Sequence, residues 1–190
     1  MYKKTKISPK NQFRHYLSDL LTNLNVEMGG DNSVEAITML ISNEDLFLGE
    51  KSELFTQEFK IDEIVEITCS VLNDKIERRG VKLKLFNSDS SIETDRHFFS
   101  NALKYLIEVL IGYVSFLEFE FDEQSGVLII IHDGKDCIDQ YLGDSSVILL
   151  DCLKDELLPN KKLSFNLSMT ILDILEMGVD FSENRVMIGV

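Results

Sequence analysis

Three histidines are the residues of this chain best suited to nucleophilic chemistry: His15, His97 and His132. A neutral imidazole attacks readily near neutral pH, and a phosphoryl group on its nitrogen stays labile enough to be passed on. Arg14, beside His15, could neutralise phosphoryl charge, and Asp19 could accept a hydrogen bond from the ring. The alternative is a solvated helix face, because a lone histidine on an amphipathic helix is most often a surface residue.

Other catalytic and metal-binding patterns are weak. Cys69, Cys137 and Cys152 have no Cys-x-x-Cys spacing, which indicates reduced thiols, and the apolar surroundings of Cys69 and Cys152 predict core packing. No group of histidine, cysteine and aspartate has the spacing of metal ligands, so we expect no metal and no cofactor. Spacing alone does not exclude a Ser-His-Asp arrangement, but the chain has no Gly-x-Ser-x-Gly elbow.

Composition limits the partners that this protein can have. The 190 residues carry a net charge of -14, and such an acidic surface repels nucleic-acid phosphates and anionic membranes. The longest apolar stretch, 103–121, is interrupted by charged residues and is not expected to span a bilayer. The basic start MYKKTKISPK leads into no apolar signal core. We therefore expect a cytoplasmic protein whose partners are proteins, with no nucleic-acid or membrane binding.

Residues 1–56 predict an antiparallel helical hairpin. Apolar residues recur at spacings of three and four from Phe13 to Met28 and again from Val34 to Leu48, and Gly29-Gly30 separates the two runs. Such a hairpin is too thin to bury its own apolar stripe. We expect two copies of the chain to form a four-helix bundle, which makes the protein a homodimer.

Residues 57–190 alternate between predicted strands and helices. The predicted strands are 58–61, 81–86, 117–121, 127–132, 179–182 and 185–189, with an optional strand before Asp95. The predicted helices are 62–79, Asp95 to about Val114, 145–154 and 164–177. Gly80 should end the first of these helices, Asp95 should cap the second, and Pro159 is expected in a loop. Helices covering one face of a mixed sheet make an α/β sandwich, so the whole chain is predicted to be α+β.

A hairpin followed by this order of strands and helices resembles the histidine kinase catalytic core. That core joins a dimerisation and phosphotransfer hairpin to a Bergerat-type ATP-binding domain. The resemblance lies in the layout of EFKIDEIVEITCSVLNDKIERRGVKLKLF followed by ETDRHFFSNALKYLIEVL. It implies a Bergerat-like sandwich for residues 57–190 and a dimerising, phosphoryl-carrying hairpin for residues 1–56.

Three ATP-binding features of that family are missing here. Counted from Asp95, the magnesium-holding asparagine of the kinases falls near Ile107, and Asn101 is almost two turns too early. The Asp-x-Gly-x-Gly turn is represented only by Asp133, with the wrong glycine spacing. The glycine-rich loop before the last long helix is replaced by KKLSFNLSMTILDIL, which contains no glycine. We therefore expect no ATP binding.

The ending NLSMTILDILEMGVDFSENRVMIGV is similar in layout to that of the alphaproteobacterial histidine phosphotransferases of the ChpT kind. The family's histidine box is matched at four positions: His15, Leu17, Leu21 and Leu24. Tyr16 replaces the acidic residue that acts as a base in kinases, which agrees with loss of autokinase activity, and Leu20 replaces a proline. The resemblance implies that His15 is the phosphoacceptor.

The resemblance thus implies a histidine phosphotransferase of a two-component phosphorelay, with Arg14 and Asp19 supporting His15. It would accept phosphoryl from the receiver aspartate of a hybrid sensor kinase and give it to response-regulator receivers, which supply any magnesium. The alternative is a catalytically inactive, pseudokinase-like dimer that docks receiver or kinase domains. The missing motifs count against an ATP-dependent kinase. His97 and His132 are expected to be structural or exposed.

Overall fold

The computed structural model of the chain describes residues 54–134, 159–182 and 184–190. Outside them lie the predicted hairpin, the predicted helix at 145–154 and three of the candidate site residues: Arg14, His15 and Asp19. The described residues form four helices and seven strands. In chain order they are β1 (Thr56–Lys60), α1 (Ile61–Val71), α2 (Asn73–Arg79), β2 (Lys82–Lys84), β3 (Ser91–Asp95), α3 (Arg96–Ile111), β4 (Phe116–Asp122), β5 (Val127–His132), α4 (Pro159–Ile174), β6 (Val179–Ser182) and β7 (Arg185–Gly189).

Two sheets are formed, and the larger one is mixed as predicted. Its strand order is β2-β4-β5-β7-β6, with β2 parallel to β4 and every other pair antiparallel. Alternate residues along the central strands are buried, which is the period of a sheet with one face in the core. Phe119, Ile130 and Val186 lie side by side across three strands of this buried face.

A second sheet pairs β1 with β3 in antiparallel register. Phe59 on β1 lies opposite Ile92 on β3, and both side chains are buried. The strand over Ser91–Asp95 was only an optional element of the sequence-based prediction. Its pairing with β1 decides the structure of this segment, because SIETD carries little apolar alternation of its own.

The helix predicted for 62–79 is interrupted at Leu72, so α1 and α2 are separate helices. The Leu72 N–H donates to Thr68 O and Cys69 O, while Leu72 O accepts from the N–H groups of Lys75 and Ile76. Leu72 therefore ends one helix and begins the next. As predicted, Gly80 ends α2, with a φ of 66° that favours glycine.

Asp95 caps α3 as predicted. Its Oδ1 accepts hydrogen bonds from the N–H groups of His97 and Phe98, and its Oδ2 accepts from Phe55 N–H at 2.8 Å. The cap thus ties the beginning of α3 to the residue just before β1. α3 is apolar around most of its circumference, and its buried side chains, which include Phe99, Leu103 and Leu110, make it a central helix of this unit.

α4 begins at Pro159, where a loop was predicted, and ends at Ile174 rather than near Met177. Proline is well suited to a first helical turn, since its missing N–H has no acceptor there. α4 contacts α3 through the Ser168 hydroxyl, which donates to Ala102 O at 2.8 Å, and contacts β6 through the rings of Phe165 and Phe181. These contacts fix the middle of α4 relative to α3 and the sheet.

Candidate functional site

The positions that correspond to the kinase ATP motifs come from three elements: α3, the residues after β5 and the first turns of α4. Ile107 on α3 is completely buried, with 0% of its surface exposed. The next residue, Glu108, forms an ion pair with Lys75 at 2.9 Å. An isoleucine side chain offers no oxygen or nitrogen to a metal ion. The position that holds magnesium in kinases is therefore part of the apolar core here.

Asn101, the asparagine nearest to that position in sequence, makes a local contact instead. Its side-chain Nδ2 lies 3.1 Å from Nε2 of His97, one turn earlier on α3. Both residues are in the first half of the helix, away from Ile107. Neither has a described contact with the residues after β5, so the structure leaves Asn101 separate from the other motif positions.

Asp133, the candidate for the adenine-reading carboxylate, is held by the loop between α3 and β4. Its Oδ1 accepts from Ser115 N–H at 2.9 Å and from Phe116 N–H at 3.1 Å, and its Oδ2 accepts from the Ser115 hydroxyl. The hydrogen bond from the Ser115 side chain is the main cause that lowers the pKa of Asp133 below its usual value of 3.8. Both carboxylate oxygens of Asp133 thus accept hydrogen bonds from groups of the protein itself.

Lys161, in the first turn of α4, lies against the end of α3. Its Nζ is 3.8 Å from the centroid of the Tyr113 ring, a cation–π contact, and a Cβ added at Gly112 would overlap the same Nζ atom. In kinases the corresponding helix opens with a glycine-rich loop. Here a lysine side chain packs on Gly112 and Tyr113 instead. No local pattern in the sequence indicates this contact or the pairing of Ser115 with Asp133.

The two described histidines are one exposed and one buried residue, which agrees with the prediction that each is structural or exposed. His97 is exposed in the first turn of α3. His132, the last residue of β5, lies opposite Leu117 on the buried face of the sheet and is only 4% exposed. Burial is the main cause that lowers its pKa from 6.5, against smaller opposing effects of the Gly134 backbone and the Asp133 charge.

His132 predicts a loss of stability toward acid pH. Because its pKa is lowered in the folded state, its neutral form supports folding above about pH 6.5, and this support is lost as the pH falls below that value. We expect the melting temperature of the wild type to fall more between about pH 7.5 and about pH 5.5 than that of a His132→Gln variant. Thermal unfolding followed by circular dichroism measures both slopes. Parallel slopes would contradict the assignment.

Cys69 is buried in α1, as its apolar surroundings predicted, and desolvation raises the pKa of its thiol to about 12. A thiol with so high a pKa is a poor nucleophile. In the described ranges, no three histidine, cysteine, aspartate or glutamate side chains come together in a way that could hold a metal ion. None of the described helices has the length and apolar character that a membrane span requires.

Arg14, His15 and Asp19 lie outside the described residues, so their roles stay predictions. What the structure does bring together is Asp133 with Ser115, and Lys161 with Tyr113, at neighbouring ends of α3, β5 and α4. At the positions that match the kinase ATP motifs, side chains of the protein therefore contact one another.

The fold is that of histidine kinase catalytic domains. The chain matches histidine kinase AdeS of Acinetobacter baumannii with a TM-score of 0.57 and 17% identity, covering 95% of this chain and 93% of that one. It matches the cytoplasmic segment of histidine kinase QseC with a TM-score of 0.57 and 10% identity, covering 82% and 93% of the two chains. The catalytic domain of histidine kinase ThkA gives a TM-score of 0.52 and 13% identity, covering 72% and 93%. No family model and no curated protein matches the chain.

These structures are all less than 25% identical to the chain, so the likeness is evidence for the fold alone. The described residues form a histidine-kinase-like α+β domain with a mixed sheet, as the sequence predicted.

Proposed function

We propose that this protein is a cytoplasmic histidine phosphotransferase of a two-component phosphorelay, of the ChpT kind. It forms a homodimer through the hairpin of residues 1–56, accepts phosphoryl on His15 and transfers it between receiver domains without using ATP. Arg14 balances the charge of the phosphoryl group, and Asp19 orients the ring. Response-regulator receivers and the receiver of a hybrid sensor kinase are its partners.

The observation that supports this proposal most strongly is the state of the ATP-motif positions within a histidine-kinase-like fold. Ile107 is buried in the core, and both carboxylate oxygens of Asp133 accept hydrogen bonds from Ser115 and Phe116. A chain that keeps the fold but uses these positions for packing cannot use them to bind ATP. Any phosphoryl group that it carries must then come from another donor. An aspartyl phosphate is such a source, because its acyl phosphate bond transfers readily to imidazole.

The transfer step exchanges one bond for another. A ring nitrogen of His15 forms a P–N bond as the P–O bond of the receiver's aspartyl phosphate breaks, and the aspartate leaves as a carboxylate. The proton on the other ring nitrogen is held by Asp19 or passes to water. The receiver supplies the magnesium ion and the acidic cluster, so the phosphotransferase needs only a reachable imidazole in line with the phosphorus.

A transfer assay with the full chain tests this proposal. A receiver domain carrying labelled aspartyl phosphate is mixed with the protein and Mg²⁺, without ATP, and the label is followed by gel electrophoresis. We expect acid-labile, alkali-stable label on the chain, and its passage to a second, unlabelled receiver. We also expect no label when the chain is incubated with labelled ATP alone.

Each other outcome changes the assignment. Label from ATP without a receiver would make the chain an autokinase and overturn the proposal. Absence of label on a chain that still binds the receivers would favour the docking module instead. Light scattering at micromolar concentration checks the dimer, and a monomer would remove the four-helix bundle from the proposal.

A further inference from the structure

β3 has a backbone edge that no strand of the described residues covers. The strand pairs only with β1, on one side. Beyond β1, Ile61 N–H donates to Ser90 O at 3.2 Å, and Ile61 and Ser90 are opposite each other in the continued register of the ladder. They therefore occupy a hydrogen-bonding position of the ladder, although the Ser90 N–H donates to Ser88 Oγ instead of Ile61 O. Such positions recur at every second residue of an antiparallel ladder.

This parity determines which backbone groups point away from β1. Ile92 and Thr94 belong to the hydrogen-bonded set, and their backbone groups face β1. Ser91 and Glu93 belong to the other set, so their N–H and C=O groups point to the opposite side. An uncovered row of this kind is a template for an additional strand.

A groove runs along the same segment. Its volume is about 520 Å³, within the range of binding clefts. One wall is the segment from Ser90 to Glu93, and the other comes from the end of β4, the turn before β5 and the last residue of the chain, Val190. The Val190 N–H donates to Gly126 O at 2.9 Å, which ties the second wall together.

The side chains around the groove select the chemistry of an occupant. Glu93 and Glu123 line it, and Glu58 lies directly opposite Glu93 on the outward face of the ladder. Like charges opposed across a ladder are destabilising. The ion pairs seen between described residues involve neither Glu58 nor Glu93. On the inward side the groove is lined by the apolar side chains of Ile92 and Phe121.

We propose that the groove beside β3 binds an extended, lysine- or arginine-bearing segment of a partner protein, which adds to the sheet as a third strand next to β3. This strand runs antiparallel to β3. Its basic side chains, at every second position, lie on the outward face beside Glu93, with Glu58 on the far side of β3, and the intervening apolar side chains meet Ile92 and Phe121. Backbone hydrogen bonds to Ser91 and Glu93 supply affinity, and the carboxylates select the charge. This proposal does not depend on the phosphotransfer function of His15.

Binding of the labelled peptide acetyl-Lys-Val-Lys-Val-Lys-Val-amide to the full chain, measured by fluorescence anisotropy, tests the proposal. The proposed strand runs antiparallel to β3, so the residues opposite Ser91 and Glu93 donate and accept the hydrogen bonds, and in this peptide they are the lysines. N-methylation of the lysine backbone nitrogens should weaken binding about ten-fold or more, because two donors are lost. N-methylation of the valine nitrogens, which face away from β3, should leave binding nearly unchanged.

Charge variants of the protein supply the second arm. Glu93→Lys should weaken peptide binding about five-fold, since an attractive cross-strand pair becomes repulsive. Glu66→Lys makes the same change of net charge at an exposed position of α1 and should have no effect. Glu93→Gln, a smaller change, should weaken binding about two-fold and replaces Glu93→Lys if circular dichroism shows that variant to be unfolded.

Three results would overturn the proposal. The first is equal binding of the two N-methylated peptides, which would mean that charge alone attracts them. The second is equal weakening by the lysine variants at positions 93 and 66. The third is no detectable binding at peptide concentrations up to about 1 mM, because a Kd above that value corresponds to a very weak interaction.

Discussion

Replacement of His15 by alanine should abolish the appearance of acid-labile label on the chain when it is mixed with a phosphorylated receiver. Alanine has no nitrogen lone pair to attack phosphorus. The Arg14 guanidinium stays protonated and is no nucleophile, and Asp19 would give an acyl phosphate rather than a phosphoramidate. The expected loss is to background, so this is the largest effect that any single substitution should have on activity. The measurement is the transfer assay with Mg²⁺ and without ATP, using equal concentrations of folded wild type and variant.

The chain offers a matched control for this experiment. His97 is an exposed histidine on the first turn of α3 that contacts the Asn101 side chain, and His97→Ala should keep wild-type labelling. If the His97 variant lost the label while the His15 variant kept it, the phosphoacceptor would lie on α3. Labelling of both variants would exclude both histidines as essential acceptors.

Restoration of the kinase asparagine through Ile107→Asn should destabilise the protein strongly and should not restore ATP binding. Ile107 has 0% of its surface exposed and is surrounded along α3 by other buried residues. The variant loses a packed apolar side chain and gains an amide in an apolar core. We expect a loss of about 3–6 kcal/mol in the free energy of unfolding, a large share of the stability of a typical domain.

Urea unfolding followed by circular dichroism, with and without Mg²⁺ and ATP, measures this prediction. ATP should not stabilise the variant, because the Asp133 oxygens still accept hydrogen bonds from Ser115 and Phe116. Ile107→Val is the control and should cost only about 1 kcal/mol, since it removes one methyl group from the same position. A cost below about 1 kcal/mol for the asparagine variant would mean that position 107 is not a core position. Clear stabilisation by ATP would contradict the expected lack of ATP binding.

Local signals in the sequence predicted much of the described fold. Asp95 as a helix cap and Gly80 as a helix end follow from interactions within a few residues, and both are confirmed. The strands β4, β5 and β7 contain alternating buried and more exposed residues. All four strands from β4 to β7 appear within one or two residues of their predicted bounds. The histidine-kinase-like fold was predicted from the resemblance of this layout to the kinase catalytic core, and the solved structures support the fold.

Elements that depend on distant or competing contacts were predicted less well. β3 exists because Ser91–Asp95 pairs with Thr56–Lys60, about 35 residues earlier, and its own composition favours no strand. The interruption of the first helix at Leu72 is hidden by apolar spacing that continues on both sides of it. Pro159 suits a loop as well as a first helical turn, and only the rest of α4 distinguishes the two.

The sequence by itself determined that three ATP-motif features are absent, since the identity of a residue and its spacing need no coordinates. Only the tertiary structure decided what replaces them. Ile107 is buried, the Asp133 carboxylate accepts hydrogen bonds from Ser115, and Lys161 lies over the ring of Tyr113. Ser115 lies 18 residues from Asp133, and Lys161 lies 48 residues after Tyr113. Contacts over such separations depend on how the helices and strands pack, which the local periodicity of a sequence does not encode.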